Sequence, residues 1–361
     1  MKIFFDARAA CLEVTGVGRI VLETALRLAE RGYKVSLLYH SIPNFVPKHS
    51  NISIKILKGK SRTYWEQIIL PKFLNKEKPD IYHATWNFGL PVFSNIPSVL
   101  TVHDVIPKAW GGYFSSAKSK LLDQPLYNFN MTTSVKKSRK VLTDSENTSN
   151  DLKKYFPKSA GKTEVCYPGI NHKIKVCGKK INQDLEKFGP YFVYLGGIDP
   201  RKNIPNLIKA FAELRKREKI SLLIVGKYLG QFDSLIDSLR IKDNVIFPGY
   251  LDQDSLERTL ASAVALVYPS VYEGFGFPVL EAQKAGTAVI TGNNSSLPEI
   301  TGKGGLLIDV DSEKEISEAM SRVLLDKNLR IKLIELGQEN IKRFDWEKST
   351  DQVENIYKSI L

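Results

Sequence analysis

Apolar residues fall along this chain in short uninterrupted runs, separated by longer stretches in which they recur at every third or fourth position. Runs at 2–6, 35–39, 80–84, 98–102 and 141–143 read as strands covered on both faces, because such strands need no polar side, and 52–57 reads as another strand. Between the first two, Ile20, Val21, Ala25, Leu28 and Ala29 keep helical spacing over 17–31, and Gly32 stands where a helix would end. The rhythm resumes after residue 190. Strands are expected at 191–195, 222–225, 245–247, 264–268 and 287–290, with helices to about Arg217, over 256–263, 279–285 and 312–341.

Strands that alternate with helices predict parallel sheets wound in both directions. The stretch 171–189 is polar and weakly periodic, so it reads as a junction. It gives a first domain of 1–175, a second of 176–344 and a last helix over 345–361, with Asp345 placed to cap it. A chain of 361 residues fits about two such domains.

Composition narrows the class. Hydrophobic residues make up 43% and charged residues 25%, the balance of a soluble globular enzyme. No apolar run is long enough to span a bilayer, and MKIFFDARAA enters a strand rather than a signal peptide. Cys11, Cys166 and Cys177 have no metal-ligand spacing, and their odd, sparse count favours a reducing compartment, so the expected location is cytoplasmic. Charge is uneven. Residues 1–176 hold 27 Lys and Arg against 13 Asp and Glu, a balance of +14, and the remainder carries −1 of the total +13. The basic half points to an anionic partner: nucleic acid, an anionic membrane surface or a phosphorylated acceptor. Lys136, Lys137, Arg139, Lys140, Lys153, Lys154, Lys158 and Lys162 make its basic face, without the signature of a nucleic-acid module.

Two segments of this half stand out. Residues 61–78 mix basic and aromatic residues around Ile68, Ile69 and Leu70. They read as a helix broken at Pro71 that packs on the core, with a membrane-facing role as the alternative. Residues 107–120, rich in Gly, aromatic residues and Lys, read as a lid-like loop.

The stretch with the most chemistry is 264–290. A strand, the loop Glu273-Gly274-Phe275-Gly276-Phe277, a helix opened by Pro278 and closed by Gly286, and a second strand follow one another. Gly274 and Gly276 would let the backbone take positive φ and approach a ligand closely. Free amides at the helix start favour an anion. Glu273 and Glu281, the latter expected in the first helical turn, bracket that anion with acceptors suited to hydroxyls. Phosphate in the middle and hydroxyls at both ends describe a nucleotide sugar.

EGFGFPVLEA, a Glu-(x7)-Glu motif, resembles the donor motif of retaining GT-B glycosyltransferases of family 4. Further segments carry the same likeness. Gly196 to Asn203 resembles the family's G-x-x-x-P-R-K-N stretch, which implies that Arg201 and Lys202 meet the donor diphosphate. Gly197 stands where many members have an arginine. His103-Asp104 resembles the family's HD pair after a strand, which implies His103 against the donor sugar with Asp104 as its orienter. Gly16 and Gly18 match the first glycine-rich loop, and Phe247 to Tyr250 the segment that contacts the base.

The resemblance implies a GT-B fold: two Rossmann-like domains facing across a cleft, the last helix crossing back onto the first. It implies retaining, metal-independent transfer of a sugar, with mannose from GDP-mannose the best match. The acceptor would be a hydroxyl of a glycan or lipid-linked acceptor in cell-surface polysaccharide synthesis. Glu273, His103, Arg201 and Lys202 would serve the reaction. Gly16, Gly18, Gly274, Phe275, Gly276, Phe277, Glu281, Phe247 and Tyr250 would bind the donor. No cofactor and no metal are expected. Asp252-Gln253-Asp254 matches D-x-D, but it precedes a helix and reads as a cap. Expected partners are the nucleotide sugar, the acceptor and an anionic inner membrane face, and no nucleic acid. A UDP-sugar enzyme and a non-enzymatic nucleotide-sugar or anion binder are the alternatives.

Overall fold

The computed structural model describes residues 1–12, 14–114, 116, 118–173 and 188–361. The expected junction at 175/176 and Cys177 lie outside these residues. The chain divides into two compact units, Met1–Ile174 with Phe344–Leu361, and Lys175–Arg343.

In the first unit the expected strands become β1 (Lys2–Asp6), β2 (Lys34–Tyr39), β3 (Ile52–Ile56), β4 (Ile81–Ala84), β5 (Ser98–Val102) and β6 (Lys140–Thr143), and a further strand that no apolar run marked is β7 (Thr163–Val165). They form a parallel sheet in the order β3-β2-β1-β4-β5-β6-β7. Successive side chains of β1 serve opposite faces. Ile3 and Phe5 join Val21, Ala25 and Leu28 of the helix Gly16–Glu30, while Phe4 joins Trp65, Leu70, Leu74 and Met131.

The final helix, Trp346–Ser359, belongs to this unit, and Val353, Ile356 and Tyr357 enter its core. Buried His83 fastens it to the sheet, with Nδ1 2.6 Å from the Tyr357 hydroxyl and Nε2 2.7 Å from Thr101 Oγ1. Burial, with a contribution from His103, lowers the His83 pKa to about 3, so the ring is neutral.

Residues 61–78 depart from expectation. The helix is not broken at Pro71. One π-helical turn, Trp65–Ile69, connects Arg62–Tyr64 to Leu70–Glu77. The wider turn accommodates the proline, which lacks an N–H and crowds the preceding turn of a regular helix. Trp65, Leu70 and Leu74 are buried, so this segment packs on the core. The segment 107–120 begins inside a short helix, Ile106–Ala109, rather than in a loop.

The second unit holds β8 (Tyr191–Leu195), β9 (Ser221–Val225), β10 (Val245–Gly249), β11 (Ala265–Tyr268), β12 (Ala288–Gly292) and β13 (Leu306–Ile308). Its parallel order is β10-β9-β8-β11-β12-β13. Both sheets therefore reverse direction once, at β1/β4 and at β8/β11, and ligands of doubly wound sheets bind at the carboxyl ends beside that reversal. Among the described residues no helix is long and apolar enough to cross a membrane.

Candidate active site

At the β8/β11 reversal, the loop after β8 supplies Arg201 and Lys202 and the loop after β11 supplies Glu273. The Val271 amide donates to the Arg201 carbonyl at 2.8 Å and ties the two loops together. Glu273 Oε1 accepts from Lys202 Nζ at 2.5 Å, from the Tyr268 hydroxyl at 2.8 Å and lies 2.6 Å from Ser270 Oγ. Its Oε2 accepts from Arg201 Nη1 at 2.9 Å. Glu273 is only 7% exposed and Lys202 8%.

Burial alone would raise the Glu273 pKa, but Lys202 and Arg201 outweigh it and hold the carboxyl at about 2. Burial lowers the Lys202 pKa, and Glu273 opposes that shift. Arg201 and Lys202 face a single buried carboxylate. Asp199, 3.3 Å from Arg201 Nε, is half exposed and its charge is screened. A positive surplus remains. Arg201 Nη2 and one Lys202 N–H have no protein acceptor among the described residues, and a diphosphate oxygen suits both.

The backbone prepares the same place. Gly276 takes φ 123° as N-cap of the helix Phe277–Lys284, a conformation that side-chain-bearing residues avoid. Of the two loop glycines only Gly276 has positive φ, so Gly274 is not there for conformational freedom. Ser295 Oγ accepts from the Glu273 amide at 3.0 Å, and Ser296 Oγ lies 2.7 Å from the Phe275 carbonyl. Phe275 and Phe277 pack edge to face at 5.0 Å. Glu281 stands in the second turn of this helix, not the first, because the helix begins at Phe277. It is half-buried there.

Within β10, Phe247 stacks on Tyr228 with ring centroids 3.6 Å apart and planes within 6°. One face of Phe247 is therefore covered, and Tyr250 is 52% exposed. Tyr228, which the sequence pattern does not single out, donates from its hydroxyl to Asp233 Oδ1 at 2.6 Å. Asp252 caps the helix Gln253–Ala261, accepting from the Ser255 amide at 2.8 Å. This is the capping role its position suggested.

In the first unit, Gly16 opens the helix Gly16–Glu30 and is exposed. Gly18 is buried, and a Cβ there would lie 2.9 Å from the Ala9 carbonyl oxygen, so its smallness serves helix packing. His103 follows β5 and is 6% exposed. Its Nε2 donates to the Thr85 carbonyl at 2.9 Å, and its Nδ1 lies 2.6 Å from Asp144 Oδ2. The carboxylate that orients the ring is thus Asp144 rather than Asp104. Val102 and Thr143 are partners in the β5/β6 register, so the next residue of each strand, His103 and Asp144, meet. Asp104 instead accepts from the Ile106 amide at 3.0 Å. A hydrogen bond from His103 to a sugar would require one of its two present bonds to open.

Burial disfavours charge on His103, yet Asp144 and the Thr85 carbonyl overcome it and raise the pKa. A raised folded-state pKa makes this contribution to stability complete below 6.5, and it is lost as pH rises through the folded value. Asp144→Asn leaves burial dominant. The expected result is a His103 pKa above 6.5 in the wild type and below it in the variant, read by imidazole NMR titration. Equal values would refute the pairing.

Two Rossmann-like units, each a doubly wound parallel sheet, are the architecture of GT-B glycosyltransferases. Residues 14–174 match the family model described as Glycosyltransferase Family 4, and residues 179–340 match the one described as Glycosyl transferases group 1. The chain belongs to the family 4 GT-B glycosyltransferases and is an enzyme of sugar transfer. It is 28% identical over 386 residues to the O-antigen chain mannosyltransferase B of Escherichia coli, covering 99% of this chain and all of that one. It is 29% identical over 291 residues to the O-antigen chain mannosyltransferase RfbU of Salmonella typhimurium, over 78% of this chain and 75% of that protein. In fold it matches the sucrose-phosphate synthase of Thermosynechococcus elongatus with a TM-score of 0.79, at 18% identity and over 99% and 98% of the two chains.

Proposed function

We propose that this enzyme transfers mannose from GDP-mannose, with retention and without a metal, to a hydroxyl of a glycan or lipid-linked acceptor in cell-surface polysaccharide synthesis. The observation that carries the reading is the buried Glu273–Arg201–Lys202 cluster at the β8/β11 reversal, with its cationic surplus and two unused donors. As the glycosidic bond breaks, negative charge grows on the departing diphosphate. Arg201 and Lys202, held in place by Glu273, stabilise that charge without a divalent ion. Amides at the start of Phe277–Lys284 add to this. Glu281 takes the ribose and Phe247 to Tyr250 the base. The mannose assignment is supported by the names of the two O-antigen relatives.

A donor screen tests the reading. Release of nucleoside diphosphate should be fastest with GDP-mannose among GDP- and UDP-sugars in metal-free buffer. Preferred turnover of a UDP-sugar, or dependence on added divalent ion, would contradict it.

The enzyme works at the inner face of a membrane in this reading. Leu121, Leu122, Leu126 and Phe129 are exposed along residues 119–137, flanked by exposed Lys118, Lys120, Lys136 and Lys137. Apolar side chains beside cations suit an anionic leaflet. The wild type should float with anionic vesicles at low salt, and Phe129→Glu should weaken that flotation. Equal flotation with neutral vesicles, or an unaltered variant, would refute this surface.

A further inference from the structure

The first unit has its own reversal, between β1 and β4, and a separate cluster occupies it. Asp6 ends β1 and Arg8 follows. Glu66 comes from the π-helical turn, Arg62 from the turn before, and Trp86 and Phe88 from the segment after β4. Asp6 is 1% exposed and Glu66 4%. Arg8 Nη2 donates to Asp6 Oδ2 at 2.7 Å and to Glu66 Oε1 at 2.8 Å. Arg62 Nε donates to the same Glu66 oxygen at 2.8 Å. Its guanidinium carbon lies 4.0 Å from the Phe88 ring centre and 5.7 Å from that of Trp86.

This guanidinium is thus pinned by a carboxylate and two rings, yet the Arg62 side chain is 42% exposed. Among the described residues nothing accepts from its two terminal nitrogens. Trp86 is 39% exposed, and its indole N–H has no acceptor among the described residues. A pinned guanidinium fork with two free nitrogens, beside an indole that is 39% exposed, matches a sugar ring. The apolar face of the ring covers the indole, and two neighbouring hydroxyls accept from the fork.

Charge selects the kind of sugar. Asp6 and Glu66 already balance Arg8 and Arg62. A carboxylate or phosphate at the fork would add an unmatched negative charge beside two buried carboxylates. A neutral hydroxyl pair carries no such penalty.

We propose that Trp86 and Arg62 form the acceptor subsite, where a neutral sugar unit of the glycan stacks on Trp86 and its hydroxyl oxygens accept hydrogen bonds from the Arg62 guanidinium. This rests on the transferase reading above and names its acceptor as a neutral glycan.

The test uses the full chain with GDP present and ligand-observed saturation-transfer NMR. The probes are neutral mannose, glucose and galactose oligosaccharides and their phosphorylated counterparts. At least one neutral oligosaccharide should bind, and its affinity should fall about tenfold or more in Trp86→Ala and in Arg62→Gln. In the transfer assay the same variants should raise the acceptor KM by about the same factor while kcat changes far less. Trp86→Phe, which keeps an aromatic face, should recover most of the binding. Binding confined to phosphorylated sugars, no binding of any neutral probe, or wild-type behaviour in both variants would overturn the subsite. Failure of the transferase reading has a different signature, the absence of donor turnover in the wild type itself.

Discussion

Replacing Glu273 with glutamine should lower sugar transfer by about a hundred- to a thousand-fold while the protein stays folded. The amide keeps an oxygen for Tyr268 and Ser270, but it removes the charge that fixes Lys202 and Arg201. The loss is then that of displaced donors to a developing oxyanion, a range typical of such groups. Glu273→Ala goes further. It leaves Lys202, 8% exposed, without its carboxylate, and removing one partner of a buried pair costs about 3 kcal/mol. Glutamine is therefore the cleaner test of function, and alanine the test of stability. Near wild-type turnover of Glu273→Gln in a radiolabelled transfer assay would end the argument for this site.

The same carboxylate predicts a pH effect with a defined sign. Its folded pKa of about 2 lies below the ordinary 4.5. Its stabilisation is present above 4.5 and is lost as pH falls toward 2. Denaturant midpoints should fall across that window in the wild type and fall less in Glu273→Gln.

Lys202→Met should have an effect of similar size on transfer, about a hundredfold or more, from the loss of one cation at the leaving group. The methionine fills much of the same space, and Glu273 keeps Arg201, Tyr268 and Ser270. Affinity for GDP should fall by about tenfold or more. Calorimetry with unchanged GDP affinity would show that Lys202 serves the fold rather than the donor.

What the sequence disclosed, and what it hid, follows from how far apart the partners lie. Pro278 before an apolar run and Gly286 behind it mark a helix from local rules, so the loop that carries Glu273 was legible. The one-turn error at Glu281 came from reading Pro278, rather than Phe277, as the start. The parallel sheets were legible too, since each apolar run became a strand.

Contacts set by strand order were not legible. Asp144 meets His103 because β5 and β6 lie side by side in register, which no spacing in the chain reveals. Tyr268 read as an ordinary strand residue, yet its hydroxyl joins Lys202 to Glu273. Arg62 lay in the stretch 61–78, read as a core-packing helix, and nothing in the spacing linked it to Trp86, which the fold brings beside it at one sheet reversal. Gly18 shows the converse, a motif glycine whose contacts are those of helix packing.

Arg201 and Lys202, held by Glu273, are expected to receive the donor diphosphate. A crystal structure with bound GDP tests it most directly. Phosphate oxygens are expected about 3 Å from Arg201 Nη2 and from Lys202 Nζ, at the start of the helix Phe277–Lys284. A diphosphate bound elsewhere, with the Glu273–Arg201–Lys202 contacts closed and untouched, would contradict it.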